Sequence, residues 1–135
     1  MKEIKEISAT ETYQLRHTVM WPNHPMDFIK LPEDHNGVHF GLFNAEELIC
    51  VVSLFIDGDT AQFRKLATKV SEQGKGFGTE ILHHLIAYCE DLKLKKLWCN
   101  ARVNKSEFYK KFGLLKTNSI YTKGGIDFVI LEKLI

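Results

Sequence analysis

The chain has no apolar run approaching the roughly 20 residues needed to span a bilayer. Its first residues, MKEIKEISATE, lack the hydrophobic stretch of a signal peptide. An excess of one charge sign is missing too: 18 Lys and Arg against 17 Asp and Glu leave a formal net charge of +1. That balance argues against a nucleic-acid partner on charge alone. Cysteine is scarce, with Cys50, Cys89 and Cys99 each among apolar neighbours. Their odd number, and the lack of a Cys/His pair at metal-ligand spacing, predict free buried thiols in a reducing compartment and no metal site. The three prolines all fall at positions 22, 25 and 32, which marks one irregular loop. No repeat, linker or low-complexity tract interrupts the rest. These absences lead us to expect a soluble cytoplasmic protein with no membrane or nucleic-acid partner.

What is present suits one compact α/β domain over residues 1–135: 44% apolar and 26% charged residues. Residues 2–7 alternate weakly and predict a short strand. Ser8 and Glu11 have capping-box spacing, which starts a helix through about Met20. Residues 39–43 and 48–56 read as a hairpin joined at Asn44-Ala45-Glu46-Glu47. Asp57-Gly58-Asp59 then turns the chain into a third strand, about 60–70, completing an antiparallel meander. A long amphipathic helix follows to about Leu92. Its apolar half holds Phe77, Ile81, Leu82, Leu85, Ile86, Tyr88, Cys89 and Leu92, with His83 facing solvent. Residues 97–101 read as a strand. Asn104, with Glu107 three residues later, predicts an N-cap for a short helix that ends at Gly113. Two last strands, about 115–121 and 126–131, flank Lys123-Gly124-Gly125. The predicted order is β-α-β-β-β-α-β-α-β-β.

The chemistry concentrates in Gln73-Gly74-Lys75-Gly76-Phe77-Gly78 at the start of the long helix. Three glycines within five residues are costly there unless the backbone needs them. The first amides of a helix lack intrahelical partners, and the helix dipole favours an anion beside them. Lys75 adds a cation, so a phosphate or pyrophosphate is the expected ligand. The spacing fits neither a P-loop, which needs Lys between Gly and Ser/Thr, nor the Gly-x-Gly-x-x-Gly dinucleotide turn. A plain Gly-rich turn before a packing helix remains the alternative on these residues alone.

Two segments together resemble the GNAT superfamily of N-acetyltransferases. Gln73 to Gly78 matches its Gln/Arg-x-x-Gly-x-Gly/Ala signature, and Phe63-Arg64-Lys65-Leu66-Ala67-Thr68 looks like its fourth strand. Downstream, Cys99-Asn100-Ala101-Arg102 and Phe108-Tyr109-Lys110-Lys111-Phe112-Gly113-Leu114 resemble its Asn-Ala-Arg and Phe-Tyr-x-Lys-x-Gly-Phe ending, with Leu114 in place of Phe. The likeness covers residues 60–114 well; the N-terminal half agrees only in its order of elements. It implies a central, mostly antiparallel sheet with splayed strands and flanking helices.

The resemblance further implies acetyl-coenzyme A as co-substrate. Its pyrophosphate would lie on the amides of Gly74, Lys75, Gly76, Phe77, Gly78 and Thr79, a turn that Gln73 opens. Its pantetheine arm would pair with a bulged fourth strand at Leu66, Ala67 and Thr68. Tyr109 matches the tyrosine beside the thioester sulfur, where a phenol can protonate the leaving thiolate. Transfer to a primary amine is then direct, in a ternary complex, and Cys99 reads as a packed thiol rather than a nucleophile. Asn104 is a cap first and a coenzyme A contact second. The general base is open among Glu33, Asp34, His35 and His39, with His39 read as structural first. Trp21, Asn23, His24 and Phe28 sit where such families often place acceptor specificity. Arg16 is either an acceptor-carboxylate ligand or one half of a surface ion pair. The acceptor itself, a small-molecule amine or a peptide or protein amine, is not legible. Homodimers are common in families like this. The alternatives are a noncatalytic acyl-coenzyme A binding or sensing module, and a phosphate-binding module unrelated to acyl transfer.

Overall fold

The computed structural model describes residues 1–135. The strands are β1 (Lys2–Ile7), β2 (Val38–Asn44), β3 (Glu47–Asp57), β4 (Thr60–Thr68), β5 (Lys96–Arg102), β6 (Leu115–Lys123) and β7 (Ile126–Leu134). They form one seven-stranded sheet in the order β1-β2-β3-β4-β5-β7-β6. Neighbours are antiparallel except β4 and β5. The helices are α1 (Ala9–Leu15), α2 (Phe77–Asp91) and α3 (Ser106–Lys110). The predicted element order therefore holds throughout.

Local chemistry accounts for most boundaries. At α1 the Ser8 hydroxyl accepts from the Glu11 amide and the Glu11 carboxylate accepts from the Ser8 amide, a complete capping box. The chain stays helical beyond Leu15, but residues Arg16–Met20 widen into a π turn. The proline-bearing segment makes two short 3-10 turns, Met26–Ile29 and Asp34–Asn36. The β2–β3 turn holds Ala45 and Glu46 at φ of 52° and 69°, and the β6–β7 turn holds Gly124 and Gly125 at 60° and 76°. Paired positive φ values match the right-handed twist of the strands that these turns join.

The helix at 106–110 corrects the sequence reading. Residues Val103–Lys105 form a 3-10 turn, Lys105 occupies the N-cap, and no side chain caps the helix. Ser106 instead donates its hydroxyl to the Val103 carbonyl. The chain enters α3 already turning, so Asn104 falls one residue too early to cap it. Gly113 does take the left-handed conformation, at φ 86°.

The main core lies between α2 and one sheet face. Phe77, Ile81, Leu82, Leu85, Ile86 and Cys89 pack on Phe40, Leu42, Val52, Leu54, Phe63, Leu97 and Leu131. Burying each such aliphatic or aromatic side chain contributes about 1.5–3 kcal/mol. Leu92, expected on this apolar face, lies past the last turn and is exposed. His83 faces solvent as predicted. On the opposite sheet face, Leu15, Val51 and Ala67 form a smaller cluster beneath α1.

Candidate active site

β4 and β5 run parallel and pair only at Thr60–Lys96, Ala61–Leu97 and Gln62–Trp98. Beyond that point the strands diverge, and the sheet opens into a cleft of about 590 Å³. Parallel neighbours cannot share a tight turn, so α2 must cross between them. That crossover sets the Gly-rich turn at the mouth of the opening.

One wall is the end of β4. Val51 pairs with Ala67 and Ser53 with Arg64, so Lys65 and Leu66 together oppose Val52. This is a β-bulge, and Lys65 within it has φ of 60°. Bulges bend a strand and re-aim its side chains. Leu66 within the bulge, and Ala67 and Thr68 just beyond it, line the cleft.

The second wall is the turn into α2. Gln73, Gly74, Gly76, Phe77, Gly78 and Thr79 all line the cleft. Gln73 donates its side-chain amide to the Thr68 carbonyl, tying the turn to the end of β4. Gly74 and Gly76 have φ of 79° and 88°, and a Cβ at either would meet no atom within 4 Å. Gly76 is the N-cap and offers no capping side chain. The first intrahelical bond runs from the Glu80 amide to the Gly76 carbonyl. The amides of Phe77, Gly78 and Thr79 thus have no helical carbonyl and belong to residues that line the cleft. Lys75 does not line the cleft; its ammonium donates to Glu72 at 2.7 Å.

The third wall comes from α3 and the turn before it. Lys105, Phe108, Tyr109 and Lys111 line it, and Val19 closes the side nearest the π turn. Lys111 lies 4.5 Å over the Phe108 ring. Val19, Glu72, Lys105, Phe108 and Lys111 were not singled out as cleft residues. The close spacing of Lys105, Lys110 and Lys111 is the sequence signal that could have found two of them. Tyr109 stands beside Phe63 and Phe108, with ring centroids 5.9 and 5.0 Å away. Burial, and secondarily the nearby Cys99, push its phenol up to about 12. Tyr109 therefore holds its proton throughout the physiological range.

The thiols are inert. Cys50, Cys89 and Cys99 are all free and buried. Burial pushes Cys50 and Cys89 up to about 11 and Cys99 up to about 12. A nucleophilic cysteine needs the opposite shift. We expect a thiol-specific disulfide reagent at pH 8 to label none of the three in the native protein and all three after denaturation. Rapid native labelling of Cys99 would contradict this. Cys99→Ala should retain acetyl transfer.

The acceptor candidates separate cleanly. Arg16 is fully buried, and its guanidinium donates to both Asp34 oxygens at 2.8 and 2.9 Å, to the Ser53 hydroxyl and to the Ile29 carbonyl. Arg16 is thus one half of an ion pair, but a buried one rather than the surface pair expected, because the 29–37 loop folds over it. Asp34 also accepts from the Leu31 amide. Burial pushes the Asp34 carboxyl up, but the Arg16 and Leu31 hydrogen bonds outweigh it and hold the group below its ordinary range. Both ring nitrogens of His39 are occupied, by the Ser53 hydroxyl and the Asp34 carbonyl, so His39 is structural. His35 is exposed and bonded to the Pro32 carbonyl. Glu33 is half-exposed and pairs with Arg64 at 2.6 Å through one oxygen. His24 stacks on Phe28 and Trp21 meets both edge-on, with centroids 4.2–5.2 Å apart, and none of the three lines the cleft. Asn23 is exposed.

A parallel pair splayed around a Gly-rich helix start, with a bulge on one side and a tyrosine on the other, defines a class of acyltransferase. The family described as the acetyltransferase (GNAT) domain matches residues 11–135, and the chain belongs to it. An uncharacterized N-acetyltransferase of Bacillus subtilis, YitI, is 28% identical over 122 residues, covering 84% of this chain and 82% of the relative. The fold is also that of the ribosomal-protein-S18-alanine N-acetyltransferase of Escherichia coli. The TM-score is 0.84 at 18% identity, covering 100% of this chain and 94% of that one. A GNAT family acetyltransferase of Elizabethkingia anophelis, crystallised with acetyl-CoA bound, superposes with a TM-score of 0.78. It is 18% identical over 99% of this chain and 98% of that one. No helix of the protein is long and apolar enough to cross a membrane.

Proposed function

We propose that the chain is an acetyl-coenzyme A-dependent N-acetyltransferase acting on a primary amine by direct attack in a ternary complex. The observation that carries this reading is the convergence, in one cleft, of the bulged end of β4, the uncapped start of α2 and Tyr109. The residues fit the co-substrate. The open space at Gly74 and Gly76 and the free amides of Phe77, Gly78 and Thr79 suit a pyrophosphate. The extended backbone of Leu66, Ala67 and Thr68 suits the amide-bearing pantetheine arm. The acetyl-CoA held by the Elizabethkingia relative supports the same assignment.

In this reading the neutral amine attacks the thioester carbonyl, a new C–N bond forms, the C–S bond breaks to release the thiolate, and the nitrogen gives up its extra proton to solvent. An amide near Leu66 or Ala67 is suited to hold the transient oxyanion. Tyr109 donates a hydrogen bond to the developing thiolate. With its phenol raised to about 12, complete proton transfer is uphill, so its contribution is hydrogen-bond donation in the transition state.

The test is ligand-induced stabilisation. Acetyl-coenzyme A should raise Tm, because a ligand bound only by the native state stabilises it by mass action. Gly76→Asp sets a carboxylate against the phosphates, and Gly78→Val projects a side chain into the cleft. Both should abolish the shift. Normal binding by both folded variants would remove the phosphate site.

A further inference from the structure

Of the residues that line the cleft, Val19 alone comes from the chain before β4. It reaches the opening from the α1 side of the sheet, where it packs on the cluster of Leu15, Val51 and Ala67. Ala67 lines the same cleft, beside Leu66. Val19 is half-buried, so part of its side chain is held by that cluster and part is presented to the cleft.

The backbone explains how a valine comes to stand there. Val19 lies in the π turn Arg16–Met20. Such a turn carries one residue more than an α-helical turn, which re-aims its side chains, and π turns recur at functional sites. This one is pinned in place. Arg16, its first residue, is fully buried and held by Asp34, the Ser53 hydroxyl and the Ile29 carbonyl. The turn also packs on β4. Valine adds stiffness of its own, because a β-branched side chain has few χ1 choices. It has no group that can hydrogen-bond or move a proton, so its part in the cleft is steric.

In the proposed complex the pyrophosphate lies at the glycine turn and the pantetheine arm runs along Thr68, Ala67 and Leu66. The thioester carbonyl then meets the amides near Leu66 or Ala67, and the acyl carbons extend past it, away from the phosphates. The apolar surface beside Ala67 at that end of the arm is Val19. We infer, resting on the acetyltransferase reading above, that Val19 sets the length of acyl group the protein accepts. Its isopropyl group packs against the methyl of acetyl-coenzyme A and leaves no room for a longer chain.

The experiment measures Kd for coenzyme A and for its acetyl, propionyl and butyryl thioesters by calorimetry, in the wild type, Val19→Ala and Val19→Ile. The wild type should bind the acetyl thioester more tightly than the butyryl one by about 10-fold or more, the scale of a misfitted methylene in an apolar pocket. Val19→Ala should lose most of that preference by gaining affinity for the butyryl thioester. Val19→Ile should weaken the acetyl thioester several-fold. Coenzyme A itself, which has no acyl group, should bind equally to all three proteins, whereas general damage to the cleft would weaken it as well. Equal wild-type affinity for the acetyl and butyryl thioesters would overturn the proposal and leave the acetyltransferase reading standing. So would an unchanged preference in folded Val19→Ala. If Val19→Ala does not fold, an unchanged ratio of acetyl thioester to coenzyme A affinity in Val19→Ile would overturn it equally. Failure of the wild type to bind coenzyme A or any thioester would remove both.

Discussion

In Tyr109→Phe, kcat should fall on the order of 100- to 1000-fold, the range for losing one preorganised hydrogen-bond donor in the transition state. The substitution keeps the ring, so packing against Phe63 and Phe108 survives. Acetyl-coenzyme A affinity should change little, because a hydrogen bond to the developing thiolate matters mainly in the transition state. The pH dependence has a definite sign. The folded phenol is raised to about 12, so Tyr109 stays protonated well above pH 10 and causes no alkaline loss of rate below that. An unfolded chain ionises its tyrosines near 10. The stability that Tyr109 contributes is therefore complete below about pH 10 and disappears as pH rises toward the folded value. Wild-type kcat in the Phe variant, with chemistry shown to limit the rate, would leave Tyr109 a packing residue.

Arg16→Met should cost about 3–5 kcal/mol, because it strands a buried carboxylate. Asp34 would keep only the Leu31 amide, and the Ser53 hydroxyl and Ile29 carbonyl would lose their shared donor. For a chain of this length the loss corresponds to a Tm lower by roughly 10–20 °C. Asp34→Leu alone strands the guanidinium and should cost a similar amount. The double variant should recover a large part of either loss, since removing both charges removes the desolvation penalty with them. Because the Asp34 carboxyl is held below its ordinary range, its contribution is present above about pH 4 and is lost as pH falls through the folded value. Chemical denaturation of the four proteins at pH 7 and at about pH 3 checks both statements. Full additivity of the single losses would mean that the pair does not couple.

The strands, the long helix and the Gly-rich turn were legible because their signals are local. Alternation, a capping box and clustered glycines each act within a few residues. The cleft was legible through the resemblance of Gln73 to Gly78 and of Phe108 to Leu114 to a known family. The Arg16–Asp34 pair was not, because its partners lie 18 residues apart across an irregular proline-bearing loop. Nothing in Arg64-Lys65-Leu66 marks Lys65 as left-handed. That conformation is imposed by the two-against-one register with β3. The failed cap at Asn104 has the same character, since a 3-10 turn shifted the start of the helix by a residue or two.

The account stands most directly on whether the chain transfers an acetyl group at all. Purified protein should be incubated with acetyl-labelled coenzyme A and a panel of primary amines, and both products identified. The account predicts one free coenzyme A for each N-acetylated amine, with no acetyl group retained on Cys99, and loss of both products in Gly76→Asp. Tight binding of acetyl-coenzyme A without turnover on any amine would contradict it and make the protein an acyl-coenzyme A binding module instead.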